Sequence, residues 1–325
     1  MRSKMESNTR DQSAQNKNFL LSCIIPIYNE QFGIVKFIQE LENYIKSFAN
    51  FYEIIIIDDG SNDGTIRIIE ALTKNSNIKL IQLSRSFGKE IAISVGLEYC
   101  QGDMAIIMNS DFQQPFNLLP VFLEHWQNGY DMVFGIQESR RKETKIKQLF
   151  TKYFYRIIKL LTKEEIVPNA CDFRLLDRKV IDALNECGER SRSMKGLYAW
   201  VGFSSIGIPF KTTKNKPCKS SWSFQKLTEL AITGITSFSN VSLRIWSFIG
   251  LLLSFTSFIF AACIIGKTLR HGIELPGYAS IMVTIIFFGG IQLLSIGILG
   301  EYIARIFNEV KQRPKYIIKQ KIGFK

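Results

Sequence analysis

The sequence has no CxxC pair: its six cysteines are scattered at positions 23, 100, 171, 187, 218 and 263 among 325 residues. That argues against a cysteine-built zinc site or a disulfide framework and suits reduced thiols in a cytoplasmic protein. The GxxxxGK[ST] spacing of a Walker loop is missing. So are an RNA-binding aromatic motif and a recognition-helix pattern, although the net charge of +12 would suit an anionic partner. With nucleic acid disfavoured, an anionic membrane surface leads. No apolar signal segment opens the chain; Met1 to Lys17 is polar, and residues 1–19 are expected to be a disordered tail.

What the sequence does contain begins with Ile54-Ile55-Ile56-Ile57-Asp58-Asp59-Gly60-Ser61, followed by Asp63-Gly64-Thr65. Four consecutive β-branched residues read as a strand buried on both faces, as in a parallel sheet. Two carboxylates and a glycine then arrive at its carboxyl end, where open α/β sheets bind ligands. Fixed carboxylates there can accept hydrogen bonds from a ribose or a base, and an Asp/Gly turn with a helix N-cap is the plainer alternative. Upstream, Leu21 to Ile27 is another apolar strand ending in Tyr28, Asn29 and Glu30, and Val35, Phe37, Ile38, Leu41, Tyr44 and Ile45 follow at helical spacing. A second helix (Ile66 to Leu72) and a third strand (Ile78 to Leu83) continue the alternation. Strand and helix in turn imply a mostly parallel sheet with right-handed crossovers.

Two further strand ends carry polar chemistry. Ser84-Arg85-Ser86-Phe87-Gly88-Lys89-Glu90 leads into a helix from Ile91 to Tyr99, and a Gly-Lys pair entering a helix can hold a phosphate. A fourth strand, Met104 to Met108, ends in Asn109-Ser110-Asp111-Phe112-Gln113. Asn109, Asp111 and Gln113 alternate, so an extended chain puts them on one side. Oxygen ligands of this kind suit a hard divalent cation when a diphosphate completes the set; alone they read as a polar turn.

In this order, Pro-x-Tyr-Asn-Glu, Asp-Asp-Gly-Ser-x-Asp-Gly-Thr, Arg-x-Phe-Gly-Lys and a DxD-like turn resemble the family 2 glycosyltransferases of the GT-A fold. The nearest likeness is to polyprenyl-phosphate glycosyltransferases of the bactoprenol glucosyltransferase and dolichol-phosphate mannose synthase type. It runs from about Leu20 to about Tyr316 and includes Asp172-Phe173-Arg174-Leu175-Leu176, Trp200-Val201-Gly202-Phe203 and Gly300-Glu301-Tyr302-Ile303. The resemblance implies an α/β GT-A (Rossmann-like) domain over residues 20–222, a juxtamembrane amphipathic helix over 223–244, a transmembrane hairpin over 245–304 and a basic tail over 305–325.

The sequence supports the hairpin independently. Ile245 to Gly266 and Tyr278 to Gly300 are uncharged. Each exceeds the ~20 residues needed to cross ~30 Å of hydrocarbon. Arg305, Lys311, Arg313, Lys315, Lys319, Lys321 and Lys325 follow the second stretch, whereas the intervening loop offers only Lys267 and Arg270. The positive-inside rule then places both termini and the catalytic domain in the cytoplasm, with the chain multi-pass in a bacterial inner membrane. Arg140 to Lys163, basic with an apolar stripe, reads either as an interfacial helix on anionic lipid or as an ordinary helix docked on the sheet. Gly289-Gly290, Gly297 and Gly300 would allow close helix packing in lipid. The resemblance implies a homo-oligomer through these helices, with a tetramer among the candidates.

The resemblance also assigns chemistry. The donor is a UDP-sugar, with glucose favoured, and the acceptor is a polyprenyl (undecaprenyl) phosphate. Pro26, Tyr28, Asn29, Glu30, Asp58 and Asp59 would line the nucleotide pocket, with Lys89 and Ser110 beside them. Asp111, Gln113 and Asn109 would hold Mg²⁺ or Mn²⁺ against the diphosphate. Asp172, with Asp111, would be catalytic, near the sugar's reacting centre. Arg140 and Arg174 would bind the acceptor phosphate; Arg174 reads equally as an ion-pair partner of Asp172, and Arg140 as a solvated charge. Three positions depart from the family pattern. Asn109 stands where the metal motif carries an aspartate, Gln137 where an arginine is usual, and Asn215 to Trp222 replaces a loop that normally closes over the acceptor. Two functions follow: an inverting glycosyltransferase whose polyprenyl-phosphate sugar serves surface glycan modification, or a relative impaired in catalysis that acts as a nucleotide-sugar-binding or complex-organising membrane protein. A processive synthase is disfavoured, because its Gln-x-x-Arg-Trp motif is missing.

Overall fold

A computed structural model describes residues 19–74, 77–111, 114–137, 170–190, 193–211, 259 and 277–324. Several expectations lie outside them: the N-terminal tail to residue 18, Gln113, Arg140, both proposed surface helices, the loop from Asn215 to Trp222 and, apart from Ile259, the apolar stretch from Ile245 to Gly266. The chain divides into two compact units. One comprises Met1–Phe150, Glu164–Ser220 and Arg313–Lys325; the other comprises Thr151–Lys163 and Ser221–Gln312.

The first unit is built on β1 (Leu20–Ile27), α1 (Ile34–Ile45), β2 (Phe51–Asp58), α2 (Thr65–Leu72), β3 (Ile78–Leu83), α3 (Lys89–Tyr99), β4 (Met104–Ile107), α4 (Leu118–Gln127), β5 (Met132–Gln137), β6 (Ala170–Asp177), α5 (Arg178–Glu186), α6 (Met194–Trp200) and β7 (Ser205–Phe210). After α7 (Tyr278–Val310) of the other unit, the chain returns to it as β8 (Ile318–Ile322). The strands form one sheet in the order β7-β5-β6-β4-β1-β2-β3-β8. β1 pairs in parallel with β2 and β4, β2 with β3, and β5 with β7. β6 and β8 run antiparallel to their neighbours.

Period-two alternation divides the isoleucine run between two cores. Ile54 and Ile56 pack with α1, α2 and α4, while Ile55 and Ile57 pack with α3, α5 and α6 on the opposite face. All four are fully buried, and each such side chain contributes roughly 1.5–3 kcal/mol relative to an exposed one. Of the stripe expected in α1, Phe37, Ile38, Leu41 and Ile45 are buried, joined by Ile34, while Val35 and Tyr44 are only partly buried against the same core. Gly96 brings α3 down hard on the sheet: a Cβ there would collide with the Ile24 side chain and lie 2.9 Å from Ile57 Cδ1. That close approach sets the start of α3 above the carboxyl ends of β1 and β2.

The C-terminal segment departs from the expected basic tail. Residues to Val310 extend α7, and Ile318–Ile322 closes the β3 edge of the sheet. The lysines at 319 and 321 dominate the composition, but Ile318 and Ile322 contact the two cores. Charged residues on an edge strand also discourage further pairing. α7 stops where Gln312 enters the left-handed region (φ 49) with Pro314 two residues on. With 33 residues it spans about 50 Å at ~1.5 Å per residue. Its segment Phe287–Ala304 is the one stretch among the described residues long and apolar enough to cross a membrane, and none of it is buried inside the protein.

Candidate functional site

Strand directions bring the candidate residues that lie among the described ones to one edge. β1 to β4 all point their carboxyl ends the same way, and β6 returns antiparallel with Arg174 opposite Ile107. Asp172, two residues before Arg174, therefore reaches the level of Asn109. The loops after β1, β2, β3 and β4 and the start of β6 surround one crevice, the usual ligand position of such a sheet.

The first two loops are laced together. Asn29 adopts φ 55, a conformation its short amide side chain tolerates. Its N–H donates to Ser61 Oγ at 2.9 Å, and its Oδ1 accepts from the Asn62 N–H at 2.9 Å. Glu30 N–H donates to Thr65 Oγ1, and Gly64 N–H to Gln31 Oε1. Tyr28 is left 49% exposed at the rim. The backbone atoms are committed, so the aromatic ring is what this loop presents outward.

Asp58 and Asp59 are both buried, with different partners. Asp58 accepts from Ser61 N–H; burial raises its pKa above the ordinary carboxylate value, against the pull of that bond. Asp59 turns to the loop after β3. It accepts from Ser86 Oγ at 2.7 Å, Phe87 N–H at 2.7 Å and Gly88 N–H at 3.0 Å. Gly60, at φ 76, makes this possible, since a Cβ there would lie 2.5 Å from the Arg85 carbonyl carbon. Asp59 thus fixes the loop that delivers Lys89. Ser86 was not singled out by sequence, although it stands inside the Arg-x-Phe-Gly-Lys motif.

Lys89 opens α3 after Gly88 (φ 96) and donates to Asp172 Oδ2 at 2.5 Å. Burial would raise the Asp172 pKa, but Lys89, aided by Lys195 and Arg174, holds it below the ordinary value. The other oxygen, Asp172 Oδ1, is buried and has no hydrogen-bond partner among the described residues. Next to Lys89, Glu90 accepts from the Met194 N–H at 2.8 Å, fixing the start of α6 against the start of α3. Burial pushes the Glu90 pKa up, the Met194 bond opposes this and Asp172 adds to it. Sequence reasoning had no signal for the Glu90–Met194 contact, which joins residues 104 apart.

The profile of Glycosyl transferase family 2 matches residues 22–184, which hold every one of these strand ends. The chain belongs to glycosyl transferase family 2. It is similar to an uncharacterized glycosyltransferase of Synechocystis sp., 42% identical over 299 residues that cover 92% of this chain and 94% of that protein. It is likewise 38% identical over 301 residues to the SfII prophage-derived bactoprenol glucosyl transferase of Shigella flexneri, covering 92% of this chain and 97% of that one. Among solved structures, the glucosyl-3-phosphoglycerate synthase of Mycobacterium tuberculosis, in complex with Mn²⁺, UDP and phosphoglyceric acid, superposes with a TM-score of 0.45 at 16% identity, over 71% of this chain and 80% of that one.

The remaining candidate residues of this glycosyltransferase lie on β4, β6 and the turns beside them. Ser110 is buried, Asp111 is exposed, and Asn109 N–H donates to Gln114 Oε1 at 2.9 Å. Among the described residues no group of three or more His, Cys, Asp and Glu side chains gathers to hold a metal ion. One carboxylate and one amide on a turn suit a hard cation only in company with phosphate oxygens. Arg174, 4% exposed, is enclosed: its guanidinium lies 3.8 Å from the Tyr198 ring centroid and 5.1 Å from that of Phe134, and Nη1 reaches Met132 Sδ at 3.0 Å. Its Nε has no partner among the described residues, and burial lowers its pKa. A phosphate would reach it only if those rings gave way.

Proposed function

We propose that this glycosyltransferase moves a sugar, glucose in the first instance, from a UDP-sugar to a polyprenyl phosphate at the cytoplasmic face of a membrane. The observation that carries the reading is Asp172. One of its carboxylate oxygens is held by Lys89, and the other is buried, unpaired and level with the turn after β4. A buried acceptor without a donor is costly, and a sugar hydroxyl supplies that donor. The bactoprenol glucosyl transferases among the relatives support the acceptor class, and the apolar stretch Phe287–Ala304 supports the membrane.

In this reading Tyr28 receives the base, Asn29 and Asp58 border the ribose, and Ser110 and Asp111 lie by the diphosphate. Asn109, Asp111 and Gln113 would hold Mg²⁺ or Mn²⁺, which neutralises charge on a departing nucleotide. A phosphate monoester is already anionic, so no base need deprotonate it. One of its oxygens forms the new bond to the anomeric carbon, and the bond from that carbon to the UDP oxygen breaks, its electron pair leaving with UDP. Attack opposite the leaving group inverts the anomeric centre. The protein's share is therefore orientation, charge balance and exclusion of water.

The test is transfer by detergent-purified full-length protein from radiolabelled UDP-glucose or UDP-N-acetylglucosamine to undecaprenyl phosphate, with Mg²⁺ or Mn²⁺. Label should enter the lipid phase and fall at least about 100-fold in Asp172→Asn, the scale of losing an electrostatic catalytic contact. Asp111→Ala should lose transfer in the same way. Nucleotide binding without transfer from either donor would overturn the reading in favour of a nucleotide-sugar-binding protein, with Asn109 as the first position to restore to aspartate.

A further inference from the structure

Two exposed lysines lie at the Asp172 end of the crevice, and only one of them is committed. Lys89 is pinned to Asp172. Lys195 follows Met194, whose N–H is bonded to Glu90, the residue after Lys89. That single bond joins the start of α3 to the start of α6, so Lys89 and Lys195, each next in sequence to one of its partners, are brought to the same end of the crevice. Lys195 is exposed and makes no ion pair among the described residues. It lies close enough to Asp172 and Glu90 for its charge to act on both. Beneath them is the buried guanidinium of Arg174. Lys195 is thus a cation at this end of the crevice that no ion pair among the described residues engages.

We infer that Lys89 and Lys195 form a seat for a phosphate monoester, with Asp172 serving as the counter-ion of Lys89 until the phosphate arrives. The inference rests on the acceptor class proposed above and deepens it: it assigns the acceptor phosphate a cation that neither the sequence motifs nor the family resemblance singled out. When the phosphate is bound, Lys89 turns from Asp172 to the phosphate oxygens and Lys195 closes on the other side. Asp172 is then released toward the sugar, so acceptor binding and sugar orientation are coupled through one lysine. Compact ammonium groups on flexible stems suit such an exchange, because each can trade one oxygen partner for another without a fixed fork geometry.

The seat can be measured without turnover. Isothermal titration of the full-length protein in detergent with a short-chain isoprenyl phosphate, and separately with UDP, would be compared for wild type, Lys195→Gln, Lys195→Arg and Asp172→Asn. Lys195→Gln should weaken isoprenyl phosphate about tenfold, the effect of losing about 1.4 kcal/mol, with UDP affinity unchanged. Lys195→Arg should retain most of the affinity. Asp172→Asn, which frees Lys89, should bind isoprenyl phosphate several-fold tighter than wild type even though it cannot transfer sugar. Unchanged affinity in Lys195→Gln, or a loss confined to UDP, would overturn the assignment. A protein that binds isoprenyl phosphate in this pattern yet transfers nothing would leave the seat standing and remove only the catalytic reading.

Discussion

Asp59 offers a prediction whose size follows from its bonds. Its Oδ1 accepts from Phe87 N–H and its Oδ2 from Ser86 Oγ, with Gly88 N–H lying 3.3 Å from the first and 3.0 Å from the second. Asp59→Ala removes every acceptor at once. Hydrogen bonds to charged groups are each worth roughly 1.5–3 kcal/mol, but the donors lie in a partly exposed loop where water can replace some partners, so about 2–4 kcal/mol is expected in total. Asp59→Asn keeps one oxygen for Phe87, and the Ser86 hydroxyl can rotate to accept from the new amide. Only the Gly88 contact then turns repulsive, at a cost of about 1–2 kcal/mol. For a domain of this size 1 kcal/mol moves Tm by roughly 2–4 °C, which predicts losses of about 4–16 °C for alanine and 2–8 °C for asparagine. Thermal unfolding of detergent-purified variants reads the difference, and isothermal titration with UDP reads the consequence for the pocket. Equal Tm values for wild type, Asn and Ala would refute the reasoning: Asp59 would not be holding the loop that carries Lys89.

Two further outcomes follow from neighbouring geometry. Gly60 and Gly129 both have positive φ, but only at Gly60 would a Cβ run into backbone, 2.5 Å from Arg85 C and 2.7 Å from Ser86 N. Gly129→Ala should therefore cost about 1–2 kcal/mol of left-handed strain, while Gly60→Ala should cost more than twice that in the same unfolding assay and abolish UDP binding. The pH dependence of stability should separate Asp172 from Asp58. The Asp172 pKa is lowered in the folded state, so its contribution is complete above the ordinary value of ~3.9 and lost as pH falls through the folded value. The Asp58 pKa is raised, so its contribution is lost as pH climbs from ~3.9 through its folded value. Chemical unfolding between pH 3 and 7 should show Asp172→Asn flattening the acid limb and Asp58→Asn raising stability toward neutrality; the opposite assignment of limbs would refute both directions.

The parts of this site that follow from local pattern were legible in the sequence, and those that depend on tertiary pairing were not. Four isoleucines followed by two aspartates specify a buried strand and a polar end whatever the rest of the chain does, because burial on both faces needs no partner identity. The same residues do not say which loop meets Asp59. Ser86, Phe87 and Gly88 arrive from 27 to 29 residues away, and the close approach that admits them hangs on Gly60 having no Cβ. Arg174 makes the point with charge. Two residues from Asp172 on one strand, it reads as a phosphate ligand or an ion-pair partner with equal ease. The rings of Phe134 and Tyr198 enclose it instead, and those come from β5 and α6. The return of the chain as β8 was hidden by Lys319 and Lys321, which made a short edge strand resemble a solvated tail. Yet that strand bears on the site: the Ser84 N–H donates to Ile317 O at 2.9 Å, so the segment after the apolar helix holds the first residue of the loop that Asp59 secures at its other end. A loop tied at both ends is what positions a lysine within reach of a carboxylate on another strand, and neither tie could be read from the motif that contains it.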